Sequence, residues 1–429
     1  MIDDVSPLAF NQRLLEFIDA SPTPWHAVDN LVQALEGAGF QSIQATDTPA
    51  PGSAVYVRAA GAVVAAITPA NAIAGWRLVG AHTDSPNLRF KPNALYLQDG
   101  YLMASVETYG GVLMNPWFDR ELGLAGRAVV VDASGARVTR LFDSERAVAM
   151  VPSLAIHLDR EANKERTVNA EQHLNLVLGQ GDDVPTLTEL LMPWGLEHGD
   201  RVLAADVCAY PVQPSDIIGL AGEWLLAPRL DNLLSCFAGL QALLTASETA
   251  GEVGMLLVCN DHEEIGSQST VGADGPLLAK CLDHWGGDWE RVVEDSMMVS
   301  ADNAHGLHPN YIDKHSRNQQ VVLNAGPVLK VNANQRYASE PETLACMVAL
   351  GEALDIPLQQ FANRADLGCG STIGPITASK LGVRTLDIGA PTFAMHSTRE
   401  TAGHRDPQWL AQLLCGFYRL HDLGQTDSV

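Results

Sequence analysis

Positive charge is what this chain has least of. Its 429 residues carry 27 lysines and arginines against 51 aspartates and glutamates, a formal charge of −24. A balance this acidic repels nucleic acid and anionic membrane surfaces, so neither is expected as a partner. Charged residues of both signs make up only 18% of the chain and hydrophobic ones 46%, which argues against disorder and supplies ample material for a large core. Cysteine is sparse and unpaired in pattern. There are seven, at positions 208, 236, 259, 281, 346, 369 and 415, with no Cys-x-x-Cys spacing. An odd, scattered set of this kind argues against a disulfide framework and against a thiolate zinc site. Uninterrupted apolar runs of membrane-spanning length are missing too. Asp3 and Asp4 stand where a secretory leader would carry basic residues, so the expected location is the cytoplasm. Repeats and low-complexity tracts are absent. The length suggests roughly two or three domains.

What is present is an alternation of helical and strand patterns, broken once. Helices are expected over Leu8–Ala20 and from about Trp25 to Leu35, and strands over Ala54–Val57, Ala60–Ile67 and Trp76–Ala81. After Lys91-Pro92 the texture changes to short runs of period two, such as Arg127–Val131, Ala136–Leu141 and Ala147–Val151, punctuated by glycine and aspartate. Helix–strand alternation resumes near Leu220. Helices are then expected over Arg229–Ala246, Glu342–Leu354 and about Pro407–Leu423, and strands over Val253–Asn260, Ser296–Ala301 and Val383–Ile388. The expected architecture is an α/β domain of residues 1–92 and 220–429, with a mixed, mostly parallel sheet flanked by helices, interrupted by a β-rich insert at 93–219.

The chemistry gathers where apolar strands end. Asp261-His262-Glu263-Glu264 follows a buried-type strand and precedes Gly266, where the backbone turns. Adjacent carboxylates repel one another and resist desolvation, which a nearby cation relieves. One of the pair can hold a metal while the other handles a proton. His82 and Asp84, Asp302, and His396 also follow strands, and Asp231 opens a helix, where a carboxylate is stabilised by the dipole. Alone, each has an ordinary reading: a structural histidine, a turn aspartate, a helix-start carboxylate. Open α/β sheets, however, bring the carboxyl ends of their strands to one edge. Two imidazoles and three carboxylates without a thiolate suit zinc, cobalt or manganese. If one carboxylate bridges, five ligands serve two ions about 3.5–4 Å apart, a known hydrolytic arrangement. The spare glutamate of the 263–264 pair then serves as general base. Asp84, two residues from His82, is placed to orient its ring.

Gly80-Ala81-His82-Thr83-Asp84-Ser85-Pro86, Arg229-Leu230-Asp231-Asn232, Asp261-His262-Glu263-Glu264-Ile265-Gly266, Ser300-Ala301-Asp302 and Met395-His396-Ser397 together resemble the M18 metallopeptidases, the aspartyl aminopeptidases. The resemblance runs in order over nearly the whole chain, insert included. It implies a zinc held by His82, Asp231 and Asp302 and a second held by Asp231, Glu264 and His396, with Glu263 as the base and Asp84 behind His82. It implies removal of one residue, preferably Asp or Glu, from a peptide's free N-terminus. Val328-Leu329-Lys330 and Arg336-Tyr337 resemble the segment receiving the acidic side chain, with Lys330 as cation and Tyr337 as hydroxyl. His305 resembles a substrate-contacting histidine, and Gly368–Pro375 a turn beside the site. Leu154–Leu158 resembles a stretch whose histidine, here His157, reaches a neighbouring subunit's active site; periodicity alone makes His157 a strand residue. The resemblance further implies dimerisation through the insert and assembly of dimers into a tetrahedral dodecamer. The rival expectations are the same scaffold with a neutral N-terminal preference, which Lys330 argues against, and a non-catalytic oligomeric shell, which the intact Glu263 and ligand set argue against.

Overall fold

Four strands carry the site, and their sequences explain why they lie at the centre of a sheet. Trp76–His82, Gly254–Asn260 and Met297–Ala301 are mostly apolar runs, Arg384–Gly389 mixes apolar with polar residues, and nearly every residue in all four is buried. Continuous apolar runs are what strands need when helices cover both faces of a sheet. In the computed structural model, which describes residues 2–70, 73–247, 251, 253–285 and 288–424, these four are adjacent and parallel. They form the middle of a nine-stranded sheet. Ala62–Ile67, Ala54–Ala59 and Gln41–Ser42 extend it on one side, and Val328–Val331 and Gln359–Ala362 on the other. Five of its eight pairings are parallel, so the sheet is mixed and mostly parallel, as expected.

Alternate side chains go to opposite faces. Val79, Ala81, Leu257 and Cys259 pack with helices Pro7–Asp19, Pro24–Gly37, Leu230–Ala246 and Asp406–Tyr418. Leu78, Leu256, Val258 and Met298 pack on the other face with helix Leu277–Trp285 and with Ile373 of helix Ile373–Leu381. Helix Leu230–Ala246 is buried on nearly every side. At Gly239 a β-carbon would stand 2.8 Å from Leu257 Cδ1, so glycine is what lets this helix lie so close to the sheet. Among the described residues, no helix is long and apolar enough to cross a membrane.

The chain divides into two compact units. The first, residues 1–84, 215–395 and 400–429, contains the nine-stranded sheet and a five-stranded one of Asp216–Ile218, Trp224–Ala227, Glu400–Gly403, Pro391–Phe393 and Ala304–His305. The second, residues 85–214 and 396–399, is built on a six-stranded antiparallel sheet. Its strand order is Arg137–Asp143, Leu122–Val131, Arg201–Pro211, Asn87–Gln98, Tyr101–Tyr109 and Leu176–Gln180. Leu88, Val106, Leu124, Phe142 and Val207 lie in its core.

Several local expectations fail for physical reasons. The insert was expected at 93–219, yet the second unit begins at Ser85. The textural break at Lys91-Pro92 lies inside strand Asn87–Gln98, where the register with Tyr101–Tyr109 shifts between Phe90 and Leu95. An irregularity of that kind accommodates a proline, which has no N–H to pair. At the other end, Asp216–Ile218 pairs with Trp224–Ala227 and so belongs to the first unit. Ala147–Val151 makes isolated bridges and no continuous strand. The last helix stops at Tyr418, short of Leu423. The buried Arg77 guanidinium takes the carbonyls of Leu420 and His421 at 2.9 and 3.0 Å, which keeps them out of a helical ladder. His157 lies in an exposed turn, not a strand.

Candidate metal centre and active site

Parallel register delivers the first groups. Asn260 pairs with His82 and Ala301 with Ile388, so the residues after these strands emerge at one edge. His82 is 1% exposed. Its Nδ1 lies 3.0 Å from the Asp84 carbonyl, and because a carbonyl only accepts, this nitrogen carries the proton. Its Nε2 faces Asp231 Oδ1 at 3.4 Å, and a cation held between them would keep the ring neutral with the lone pair on Nε2. The His82 carbonyl accepts from the Cys236 thiol of helix Leu230–Ala246 at 3.0 Å.

Asp84 does more than stand behind His82. Fully buried, its Oδ1 is 3.4 Å from His82 Nδ1, and its two oxygens accept the backbone N–H groups of Glu263 and Glu264, each at 3.1 Å. One carboxylate thus positions both the imidazole and the adjacent glutamates. Those glutamates sit in a single 3-10 turn, Glu263–Ile265, entered through His262 at φ 64° and left through Gly266 at φ 95°. Glycine suits the second of these positions, since a side chain there is strained.

Asp231 was expected to open its helix, where the dipole stabilises a carboxylate. Its backbone (φ −83°, ψ 101°) and that of Asn232 are not helical, and the peptide between them is cis. Asp231 N–H donates to Glu400 Oε2 at 2.8 Å, and Asn232 Nδ2 to the Ala301 carbonyl at 2.8 Å. Sequence reasoning missed Glu400, which is 1% exposed; its signal was an acid four residues beyond His396 in Met395-His396-Ser397-Thr398-Arg399-Glu400.

One ligand atom each from His82, Asp231 and Glu264 falls within 4.8 Å of the others. One imidazole and two carboxylates, buried or half-buried and free of thiolate, fit a zinc-like divalent cation. The electrostatics point the same way. Burial, with the charges of Asp302, Glu264 and Asp231, pushes Glu263 up to about 8 against the opposing effect of His82. Burial likewise raises Asp302 to about 6, with Lys330 working against it and Asp231 adding to it. Burial would depress His82, but hydrogen bonds that it donates to Asp231 and Asp84 and the charge of Glu263 raise it well above its ordinary value. A cation held among these carboxylates relieves the repulsion.

Asp302 follows strand Met297–Ala301, and its Oδ2 is 3.8 Å from Lys330 Nζ. Lys330 is 1% exposed, donates to the Asn303 carbonyl at 3.3 Å, and stands 5.1 Å from the centre of the Tyr337 ring. Tyr337 is buried, and burial raises its hydroxyl, which also contacts the Cys369 thiol. His305 is exposed and lies edge-on to Phe361 at 6.0 Å. His396 and His157 belong to the second unit. There His396 Nδ1 donates to the Gly111 carbonyl at 3.0 Å and the His396 carbonyl accepts from Leu113 N–H, so in the neutral ring the lone pair is on Nε2.

The family model described as Aminopeptidase I zinc metalloprotease (M18) matches residues 17–418. A curated relative from Pseudomonas entomophila (strain L48), called Probable M18 family aminopeptidase 2, is 49% identical over 97% of this chain and 99% of its own length. Among solved structures, a chain of the cryo-EM structure of the Ape4 and Nbr1 complex superimposes with a TM-score of 0.92 at 32% identity, covering 96% of this chain and 86% of that one. The S. cerevisiae mApe1 dodecamer gives 0.84 at 26% identity, covering 95% and 96%.

Proposed function

The chain belongs to the M18 family of zinc metalloproteases, the aminopeptidases, and from that premise we propose a co-catalytic dizinc enzyme that releases N-terminal Asp or Glu from peptides. The observation carrying this reading is the double grip of Asp84. By holding consecutive backbone N–H groups, it fixes Glu263 and Glu264 in one turn while their side chains take different tasks. Glu264 joins His82 and Asp231 as a ligand. Glu263, desolvated and surrounded by negative charge, takes a proton from the attacking water and passes it to the leaving amine.

Zinc bound here supplies Lewis-acid polarisation of the scissile carbonyl and an acidified water. His82, Asp231 and Asp302 would hold one ion and Asp231, Glu264 and His396 the other, with Asp231 shared. The assignment of His396 rests on its motif. Cobalt and manganese suit the same donors.

Lys330, almost wholly buried in a chain dominated by negative charge, is the cation for an acidic substrate side chain, with Tyr337 above it and His305 as a further contact. A second reading, preference for neutral N-terminal residues, is favoured by the 3.8 Å approach of Lys330 to Asp302, which already engages its charge. His157 would act in a partner subunit's site, with the insert forming a dimer and dimers a tetrahedral dodecamer; the mApe1 dodecamer supports self-association.

Chromophore release from Asp-, Glu-, Leu- and Lys-anilides, with and without chelator, tests the proposal. Fast cleavage of the Asp and Glu compounds, abolished by chelator, is expected. Faster cleavage of Leu-anilide would select the second reading, and chelator-resistant turnover would contradict both.

A further inference from the structure

Asp387 is a fully buried carboxylate with no place in the chemistry above. It lies in strand Arg384–Gly389, and its two oxygens reach two segments far apart in sequence. Oδ2 accepts the Ala338 N–H at 2.6 Å, and Oδ1 accepts the Thr372 hydroxyl at 2.6 Å. Ala338 follows Tyr337 directly. Thr372 caps helix Ile373–Leu381, accepting from Gly374 N–H at 3.3 Å, and ends the loop that holds Cys369. The same segments meet again where Tyr337 contacts Cys369 and where the Ser371 hydroxyl donates to the Arg336 carbonyl at 3.3 Å. Space for the carboxylate is also built in. A β-carbon at Gly374 would stand 2.5 and 2.6 Å from its oxygens, so only glycine fits at that place.

We propose that Asp387 is the positioning residue of the substrate side-chain pocket, tying the 337–339 and 368–372 segments together so that Tyr337 is fixed over Lys330. This inference rests on the reading of Lys330 as the recognition cation. Asp387 touches neither substrate nor reacting atoms in this account. It acts through Ala338 and Thr372. Loosening either tie lets the Tyr337 ring drift from the Lys330 ammonium. Binding of a side chain in that pocket then weakens, while bond cleavage at the Glu263 edge continues.

The test compares kcat and KM of the metal-loaded enzyme on Asp- and Leu-anilides for Thr372→Val, Thr372→Ser, Asp387→Ala and Lys330→Met. Thr372→Val keeps the shape but deletes one tie, so it remains informative if Asp387→Ala fails to fold. It is expected to raise KM for Asp-anilide and lower its kcat/KM about tenfold relative to Leu-anilide, equivalent to about 1.4 kcal/mol. Thr372→Ser, which keeps the hydroxyl, should restore the wild-type ratio. An unchanged Asp-to-Leu ratio in Thr372→Val, or an equal fall on both substrates, overturns the inference. Lys330→Met separates the two claims. If it keeps the wild-type ratio, the reading of Lys330 is wrong, and Asp387 is still judged by the Thr372 pair.

Discussion

The strand-end edge around His82 and the turn around His157 are opposites in how they treat side chains. At the edge, charged groups are buried and each is held by partners from a different stretch of chain: Asp84 by Glu263 and Glu264, Asp231 by Glu400, Lys330 by Asp302 and Asn303. In the turn, apolar groups stand in water: Leu154 is 62%, Ile156 46% and Leu158 75% exposed. Buried charge is costly unless paired, so the first arrangement is one the fold determines by itself. Exposed apolar side chains clustered within five residues gain nothing from a single chain, and larger clusters of this kind mark surfaces that another molecule covers. The lesson is that chemistry at the edge is testable by point substitution within one subunit, whereas the role proposed for His157 requires tests on the assembly.

The largest effect belongs to the edge. Glu263→Gln should retain bound metal and the fold yet lower kcat by ~10²–10⁴, the usual cost of losing a general base. Steady-state kinetics with metal analysis of the purified variant checks this. If Glu263→Gln loses metal and Glu264→Gln keeps it, the two roles are exchanged.

Next is Lys330→Met. A charge-assisted hydrogen bond lost from a desolvated pocket costs about 2–5 kcal/mol, so kcat/KM for Asp and Glu substrates should fall roughly 10²-fold, with a much smaller change for Leu. Because Lys330 also stands beside Asp302, an equal fall on both substrate classes would mean that it supports the metal edge and does not read the side chain.

The smallest effect on the folded subunit is expected in the turn. Leu154→Asp combined with Leu158→Asp alters exposed positions, where substitutions usually shift stability by no more than about 0.5 kcal/mol. Light scattering should nevertheless show a smaller assembly, and activity should fall with it. A pair of changes that leaves the assembly intact would remove the turn from the interface. Mixing inactive Glu263→Gln with inactive His157→Ala subunits sharpens the point. Recovery of activity places His157 in trans, and no recovery despite verified subunit exchange rejects it.

The edge was legible in sequence because parallel strands end together: an apolar run followed by His82, Glu263–Glu264 or Asp302 needs no further information to be placed. What escaped were features made by residues distant in sequence. The second task of Asp84 depends on a turn 179 positions away, and the setting of Asp231 on Glu400, 169 positions away. Composition also misplaced the start of the second unit, because Pro92 looks like a boundary but lies at an irregularity within a continuous strand. His157 was misread since alternation of apolar residues, the signal for a strand, here belongs to a turn whose apolar groups face outward.

The proposed dizinc centre requires that two ions share Asp231. Metal content per subunit, measured on extensively dialysed wild type, His82→Ala and Asp231→Ala, tests it most directly. Two equivalents are expected in the wild type, about one in His82→Ala and close to none in Asp231→Ala. One full equivalent held tightly by Asp231→Ala would contradict it.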